Sequence, residues 1–258
     1  MRYSRGFPLT IREYSLSFDL ILLLAAIFAG ATLQVGVGIG FSIVVAPIMM
    51  LMLGTATAVP VLLMLNTLVS ALALERRLWV QEKALIGKAI VGCLVGILLG
   101  LLVYSYLSER AVLVLTASIL LVGVVASLLP VASKLGARGF NLISAVSGLA
   151  TVWAATPGPL MVLGFLALGR SADEVRKLVQ PVALVAYGVA FILRGFADWT
   201  SVSEAPWLLE FGIATIAGSL LGRLIGPKLP RFVIISGIRL ISALACIVLF
   251  YRAFQLGA

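Results

Sequence analysis

Long, largely apolar stretches recur along this chain, among them Ala84–Tyr106, Ala111–Pro130, Val175–Leu193, Trp207–Ile225 and Val233–Tyr251. A bilayer-spanning helix needs about 20 such residues. Of the 258 residues, 62% are hydrophobic and 11% charged, against roughly 25% charged in a soluble domain. So few polar groups cannot cover a water-facing surface. Lipid is therefore the solvent, and the expected class is an all-α polytopic membrane protein. The longest polar stretch is the N-terminal tail, Met1–Ser17, which leaves no separate soluble domain.

Ten apolar segments can be counted, at 16–35, 38–53, 56–74, 84–106, 110–130, 139–154, 158–169, 175–194, 207–227 and 231–254. Arg2, Arg5 and Arg12 ahead of Leu16–Gly30 imitate a signal peptide. No small-residue cleavage site precedes the next run, so the first segment reads as a retained helix. The net charge of +9 sits in short loops, where positive-inside topology accounts for it better than nucleic acid does. Histidine is absent, against a histidine metal site or proton relay. Cys93 and Cys246 read as small core residues. No nucleotide motif, intramembrane acid pair or Ser/Lys pair stands out, so neither enzyme nor cofactor is expected.

Two halves are related. Gly92, Gly96 and Gly100 match Ala214, Gly218 and Gly222, Leu107-Ser108 matches Leu229-Pro230, and Gly54 matches Gly169. These ladders of small residues read as packing faces, within one chain or between copies. Equivalent loops carry opposite basic character. Arg76, Arg77, Lys83 and Lys88 follow segment three, but only Arg194 follows segment eight. Arg110 alone follows segment four, whereas Arg223, Lys228 and Arg231 follow segment nine. Nothing follows segment two, whereas Arg170, Arg176 and Lys177 follow segment seven. The positive-inside rule then puts equivalent loops on opposite sides. The expected architecture is a tail at 1–15 and two inverted repeats of about five apolar segments each, 16–130 and 131–258. Loops near 75–88, 130–138, 170–177 and 223–231 would be cytoplasmic and both termini outside. The basic tail runs against that orientation.

Segments two, six and seven are short, beside two breaks in corresponding places. One runs Gln34-Val35-Gly36-Val37-Gly38-Ile39-Gly40-Phe41-Ser42, ahead of Pro47; the other is Thr151-Val152-Trp153-Ala154-Ala155-Thr156-Pro157-Gly158-Pro159. Glycine admits backbone shapes that other residues resist, and proline removes an amide donor. Broken helices at membrane depth are tolerated only inside protein or against a watery cavity, and paired ones point to a transporter site. Half-helix amino ends favour anions. Amides of Gly38, Gly40, Phe41, Ser42, Thr156, Gly158 and Leu160 are candidate donors, with side chains of Gln34, Ser42, Thr151 and Thr156. The bland alternative is close helix packing at the glycines.

No Asp or Glu lies deep in an apolar segment, and Glu210 is near an end; a buried carboxylate would mark a cation or proton path. Arg239, inside segment ten, reads either as a bidentate anion partner or as a snorkelling side chain. Arg194 reads as an interfacial anchor. Asn66 and Gln180, each on the helix after a broken pair, are candidate site residues beyond simple helix–helix glue. Trp79, Trp199 and Trp207 fit an aromatic belt. Trp153, beside the second break, either lines the site or packs.

With these features on view, the chain resembles the TauE/SafE family of sulfite exporters from about residue 20 to 254. The resemblance rests on Gly36–Leu53, the Gly-Thr-Ala-Thr-Ala-Val turn at 54–59, Glu75-Arg76-Arg77 and the Gly92/Gly96/Gly100 helix. It departs at the second break, where the family is glycine-rich and this chain has Thr156-Pro157-Gly158-Pro159. The resemblance implies movement, by export or import, of sulfite, small organosulfonates or similar anions across a bacterial inner membrane, without fixing one substrate. The expected mechanism is alternating access around a midplane site. Alternatives are an anion channel or a permease for small carboxylates. H+ and Na+ are the candidate coupling ions, and a homo-oligomer is compatible with the ladders.

Overall fold

The computed structural model describes residues 9–38, 40–128, 136–156, 158–197, 203, 205, 207–226 and 231–256. Within these, the side chains of 9–17, 76, 126, 127, 195–197 and 231–235 are not described. The tail at 1–8, residues 130–135 of a basic loop, Pro157, Trp199, Lys228, Leu229 and Pro230 lie outside. The described chain is helical throughout: α1 Leu9–Val37, α2 Phe41–Ala73, α3 Arg76–Gln81, α4 Lys83–Tyr104, α5 Glu109–Leu128, α6 Ala137–Ala154, α7 Gly158–Ala167, α8 Ala172–Ala197, α9 Leu208–Ile225 and α10 Arg231–Gln255. Among the described residues, six helix spans are long and apolar enough to cross a membrane by length and composition: Phe18–Val37, Phe41–Ala73 (which is bent at Gly54), Lys83–Tyr104, Ala172–Arg194, Leu208–Ile225 and Ser236–Gln255. Leucines at their surface, such as Leu102 (72% exposed), Leu209 (75%) and Leu224 (71%), make sense only against lipid.

Segments two and three fall in one helix span, α2, that is not straight. Gly54 has φ 73° and ψ 160°, a left-handed conformation that glycine adopts without a Cβ penalty. The Ser42 hydroxyl reaches the Asn66 carboxamide oxygen at 3.0 Å. A continuous helix would set those residues about 36 Å apart. The chain therefore doubles back at Gly54, and α2 is a hairpin of two arms. Gly169, its counterpart between α7 and α8, also has positive φ, 81°. The short α3, at the corner after α2, was not foreseen. Ser171 and Glu174 form a reciprocal cap on α8: the Ser171 amide donates to Glu174 Oε2 (2.9 Å), and the Glu174 amide to Ser171 Oγ (3.3 Å).

The glycine ladders pack within the chain. α4 lies along α6 and α9 along α1. A Cβ on Gly96 would come within 1.8 Å of the Ala145 carbonyl oxygen, and one on Gly148 within 2.0 Å of the Cys93 oxygen. Likewise a Cβ on Gly218 would lie 2.3 Å from the Phe28 oxygen, and one on Gly222 2.5 Å from the Thr32 oxygen. Both pairs run parallel. With little hydrophobic force between helices in lipid, such backbone approach is a main source of cohesion. Cys93 and Cys246 are buried free thiols.

Three basic loops gather at one end of the bundle. Arg170 pairs with Glu82 through two bonds of 3.0 and 3.1 Å, and Lys177 with Glu75 at 3.0 Å. From the end of α9, Arg223 donates to the Leu72 carbonyl. These partly exposed pairs are each worth only about 0.2–1 kcal/mol. Their significance is positional.

Candidate functional site

Both breaks occur where the glycines and prolines place them. α1 ends at Val37; Gly38 (φ 97°) and Gly40 (φ 140°) follow, and α2 begins at Phe41. α6 ends at Ala154, Ala155 turns left-handed (φ 50°), and α7 begins at Gly158. A left-handed alanine is strained. The Ala155 amide donates back to Thr151 O (3.0 Å) and the Thr156 amide to Ala150 O (3.4 Å), bonds that hold it there.

The two breaks meet beside α8, which carries a polar stripe of Arg176, Gln180, Tyr187 and Arg194. Spacings of four, seven and seven keep these on one helical face. Gln180, 2% exposed, donates to the Gly38 carbonyl at 2.8 Å. About 10 Å further along the helix, Tyr187 approaches the Ala155 carbonyl at 3.4 Å. The Ser42 hydroxyl, from the start of α2, lies 2.7 Å from that same carbonyl and 3.1 Å from the Tyr187 hydroxyl. The Asn66 carboxamide oxygen, 3.0 Å from Ser42 Oγ, shares the single Ser42 proton with Ala155 O, and the Asn66 NH2 donates to Leu62 O at 2.8 Å. Gln34 donates weakly to Gln180 Oε1 (3.4 Å), while its own amide oxygen accepts from the Phe41 N–H (3.3 Å). The Gly38 and Ala155 carbonyls at the breaks are thus held by side chains from another helix.

Two arginines complete the stripe. Arg176 donates to the Gly36 carbonyl at 3.0 Å, and its side chain fills the space where a Gly38 side chain would lie, 1.8 Å from the Cβ position. Arg194 is not an interfacial anchor. It is 1% exposed, donates to the Val152 carbonyl at 2.6 Å and to the Tyr104 hydroxyl, and stacks 3.8 Å over the Tyr104 ring. Each cation sits at the carboxyl end of a broken helix, α1 or α6, where the dipole favours it.

The sequence candidates therefore divide. Gln34, Gly38, Phe41, Ser42, Asn66 and Gln180 share one buried network, and Gly40 supplies its turn. Of the amides expected to be open, Gly38 N–H donates to Gln34 O (2.8 Å) and Phe41 N–H to the Gln34 side chain. Thr151 donates its hydroxyl to Ser147 O at 2.8 Å within α6. Thr156 and Gly158 lie at the second break. Trp153 gives its indole N–H to Gly100 O at 3.0 Å, which directs it toward α4. Arg239 is half-buried on α10, whose neighbours are α5 and α2. Tyr187, which the sequence offers only as a weaker polar candidate two turns after Gln180, and Arg176, which reads there as a loop charge, both belong to the network. Their period along α8 was the signal that could have found them.

Paired helix breaks meeting inside a bundle of membrane-long apolar helices define a transporter-type membrane protein. The profile of the family described as Sulfite exporter TauE/SafE matches residues 22–252. The chain belongs to that family, which implies a multi-pass membrane exporter of sulfite or organosulfonates. Comparison with curated proteins finds no match, nor does comparison with solved structures.

Proposed function

We propose that the protein is a secondary exporter of small anions, sulfite or organosulfonates, in a bacterial inner membrane. It works by alternating access around the two breaks. The observation that carries this is the network on α8: Gln180 holds the first break at Gly38 O, and Tyr187 with Ser42 holds the second at Ala155 O. A shift of α8 relative to α1 and α6 would alter both breaks together. The halves at 16–130 and 131–258 act as inverted repeats. The reciprocal packing of α4 on α6 and α9 on α1, at matching positions and both parallel, supports this. So do the left-handed residues at Gly38 and Ala155 and at Gly54 and Gly169.

The test is sulfite transport in proteoliposomes. Gly40→Leu puts a side chain where φ is 140° and where its Cβ would lie 3.0 Å from Leu33 Cβ. Transport should fall roughly tenfold or more, the effect of about 1.4 kcal/mol at the site, while the variant still inserts. If Gly40→Leu and Thr156→Val both transport like the parent, the assignment to the breaks is wrong.

A further inference from the structure

We infer, building on the transport reading above, that the substrate's oxyanion group binds at the amino end of α7 beside Thr156, and that it is taken as a singly charged ion. Thr156 is fully buried, and its hydroxyl has no hydrogen-bond partner. Its amide is turned back to Ala150 O, so the hydroxyl is what this residue has left to offer. A buried polar group left unsatisfied is unfavourable, and a ligand oxygen would satisfy it. Two residues on, Gly158 opens the ten-residue α7. A Cβ built there would meet nothing within 4 Å beyond its chain neighbours, so there is space beside the helix end. First-turn amides of a helix have no intrahelical acceptor, and that end carries about half a positive charge. The first break differs. There the Gln34 amide oxygen already accepts from the Phe41 N–H, in the place an anion oxygen would occupy.

The charge limit follows from what surrounds the second break. Pro157 and Pro159 have no N–H, which leaves the Thr156 hydroxyl and the amides of Gly158, Leu160 and Met161. α7 carries no charged residue, and its neighbours are α5, α6 and α8. On α5 the charged residues are Glu109 and Arg110, at its start; on α6 only Arg138, also at its start. On α8, Asp173 and Glu174 lie in the first turn, and Lys177 pairs with Glu75. Arg176 donates to Gly36 O and Arg194 to Val152 O, while Tyr187 joins Ser42 and Ala155 O. Desolvation rises with the square of the charge, so a dianion costs about four times as much as a monoanion. Arg194 keeps its charge but is held at the carboxyl end of α6 by Val152 O and Tyr104, so the donors left at the second break are neutral, and these with one helix end match one charge and not two. The site therefore favours organosulfonates and bisulfite over sulfate and sulfite dianion.

Methanesulfonate and sulfate share a tetrahedral shape and differ by one charge, so the purified full chain can be titrated with each. Methanesulfonate should bind at least about tenfold more tightly than sulfate. Thr156→Val should weaken methanesulfonate about tenfold without changing the ligand-free Tm, and Thr156→Ser should retain it. In proteoliposomes, sulfite transport should rise on acidification with the bisulfite fraction. Methanesulfonate transport should stay level, which separates charge selection from proton coupling. Sulfate binding as tightly as methanesulfonate overturns the inference, as does a folded Thr156→Val with parental methanesulfonate affinity. If Thr156→Val does not fold, the comparison of the two ions on the parent decides. Sulfite transport without a monoanion preference sinks this inference alone, whereas no binding or transport of any of these anions removes the transport reading as well.

Discussion

Gly96→Leu is expected to abolish the folded protein, the largest effect of any single substitution considered. Its Cβ would lie 1.8 Å from the Ala145 carbonyl oxygen and 3.0 Å from the Leu149 amide nitrogen. Both are backbone atoms, so no rotamer change relieves the clash. The opposing contact, Gly148 on the Cys93 carbonyl, would separate with it. Overpacking a core of side chains costs about 1–3 kcal/mol. A clash that forces two parallel helices apart should exceed about 3 kcal/mol. Gly87→Leu on the same helix is the control, since a Cβ there meets nothing within 4 Å. Size-exclusion profile and thermal unfolding in detergent decide the matter. A Gly96→Leu protein that elutes and melts like the parent would show that α4 and α6 do not pack as described.

Arg194→Met should be the second most damaging change. It deprives the Val152 carbonyl and the Tyr104 hydroxyl of a charged donor at a site 1% exposed. Each buried group left unsatisfied costs about 1–3 kcal/mol, and the lost stacking on Tyr104 adds about 1–2 kcal/mol. A loss near 3 kcal/mol or more is expected. Arg194→Lys should recover only part, because an ammonium cannot both stack on the ring and present a planar fork. Combined with Tyr104→Phe in a double-mutant cycle, the coupling should lie between about 0.5 and 3 kcal/mol. A folded Arg194→Met within about 0.5 kcal/mol of the parent would place Arg194 at the lipid interface after all.

The positions of the breaks were legible because glycine and proline act on the backbone locally. Gly38, Gly40 and Gly54 adopt positive φ where the helices end or turn, whereas Gly96, Gly148 and Gly218 sit inside continuous helices; the clustering of glycine and proline between short apolar segments is what marked the breaks. The apolar segments were legible for the same reason: composition over twenty residues sets whether lipid or water is the better solvent. The glycine ladders could be read as packing faces, but not with what they packed. A stripe of small residues is the same sequence whether its partner is in the same chain or another copy. The α4–α6 and α1–α9 pairings resolve it.

Arg194 marks the boundary most sharply. At the end of an apolar segment, a snorkelling arginine and a buried one have the same neighbours in sequence. What separates them is the Val152 carbonyl and the Tyr104 ring, 42 and 90 residues away, which only the folded bundle brings near. The same holds for Ser42, whose bonds reach Ala155 and Tyr187. By itself the sequence determined the solvent, the helices and where they break, since each follows from local chemistry. Tertiary structure decided which freed carbonyls are claimed and that the Thr156 hydroxyl is not, because long-range hydrogen bonds depend on which helices lie side by side.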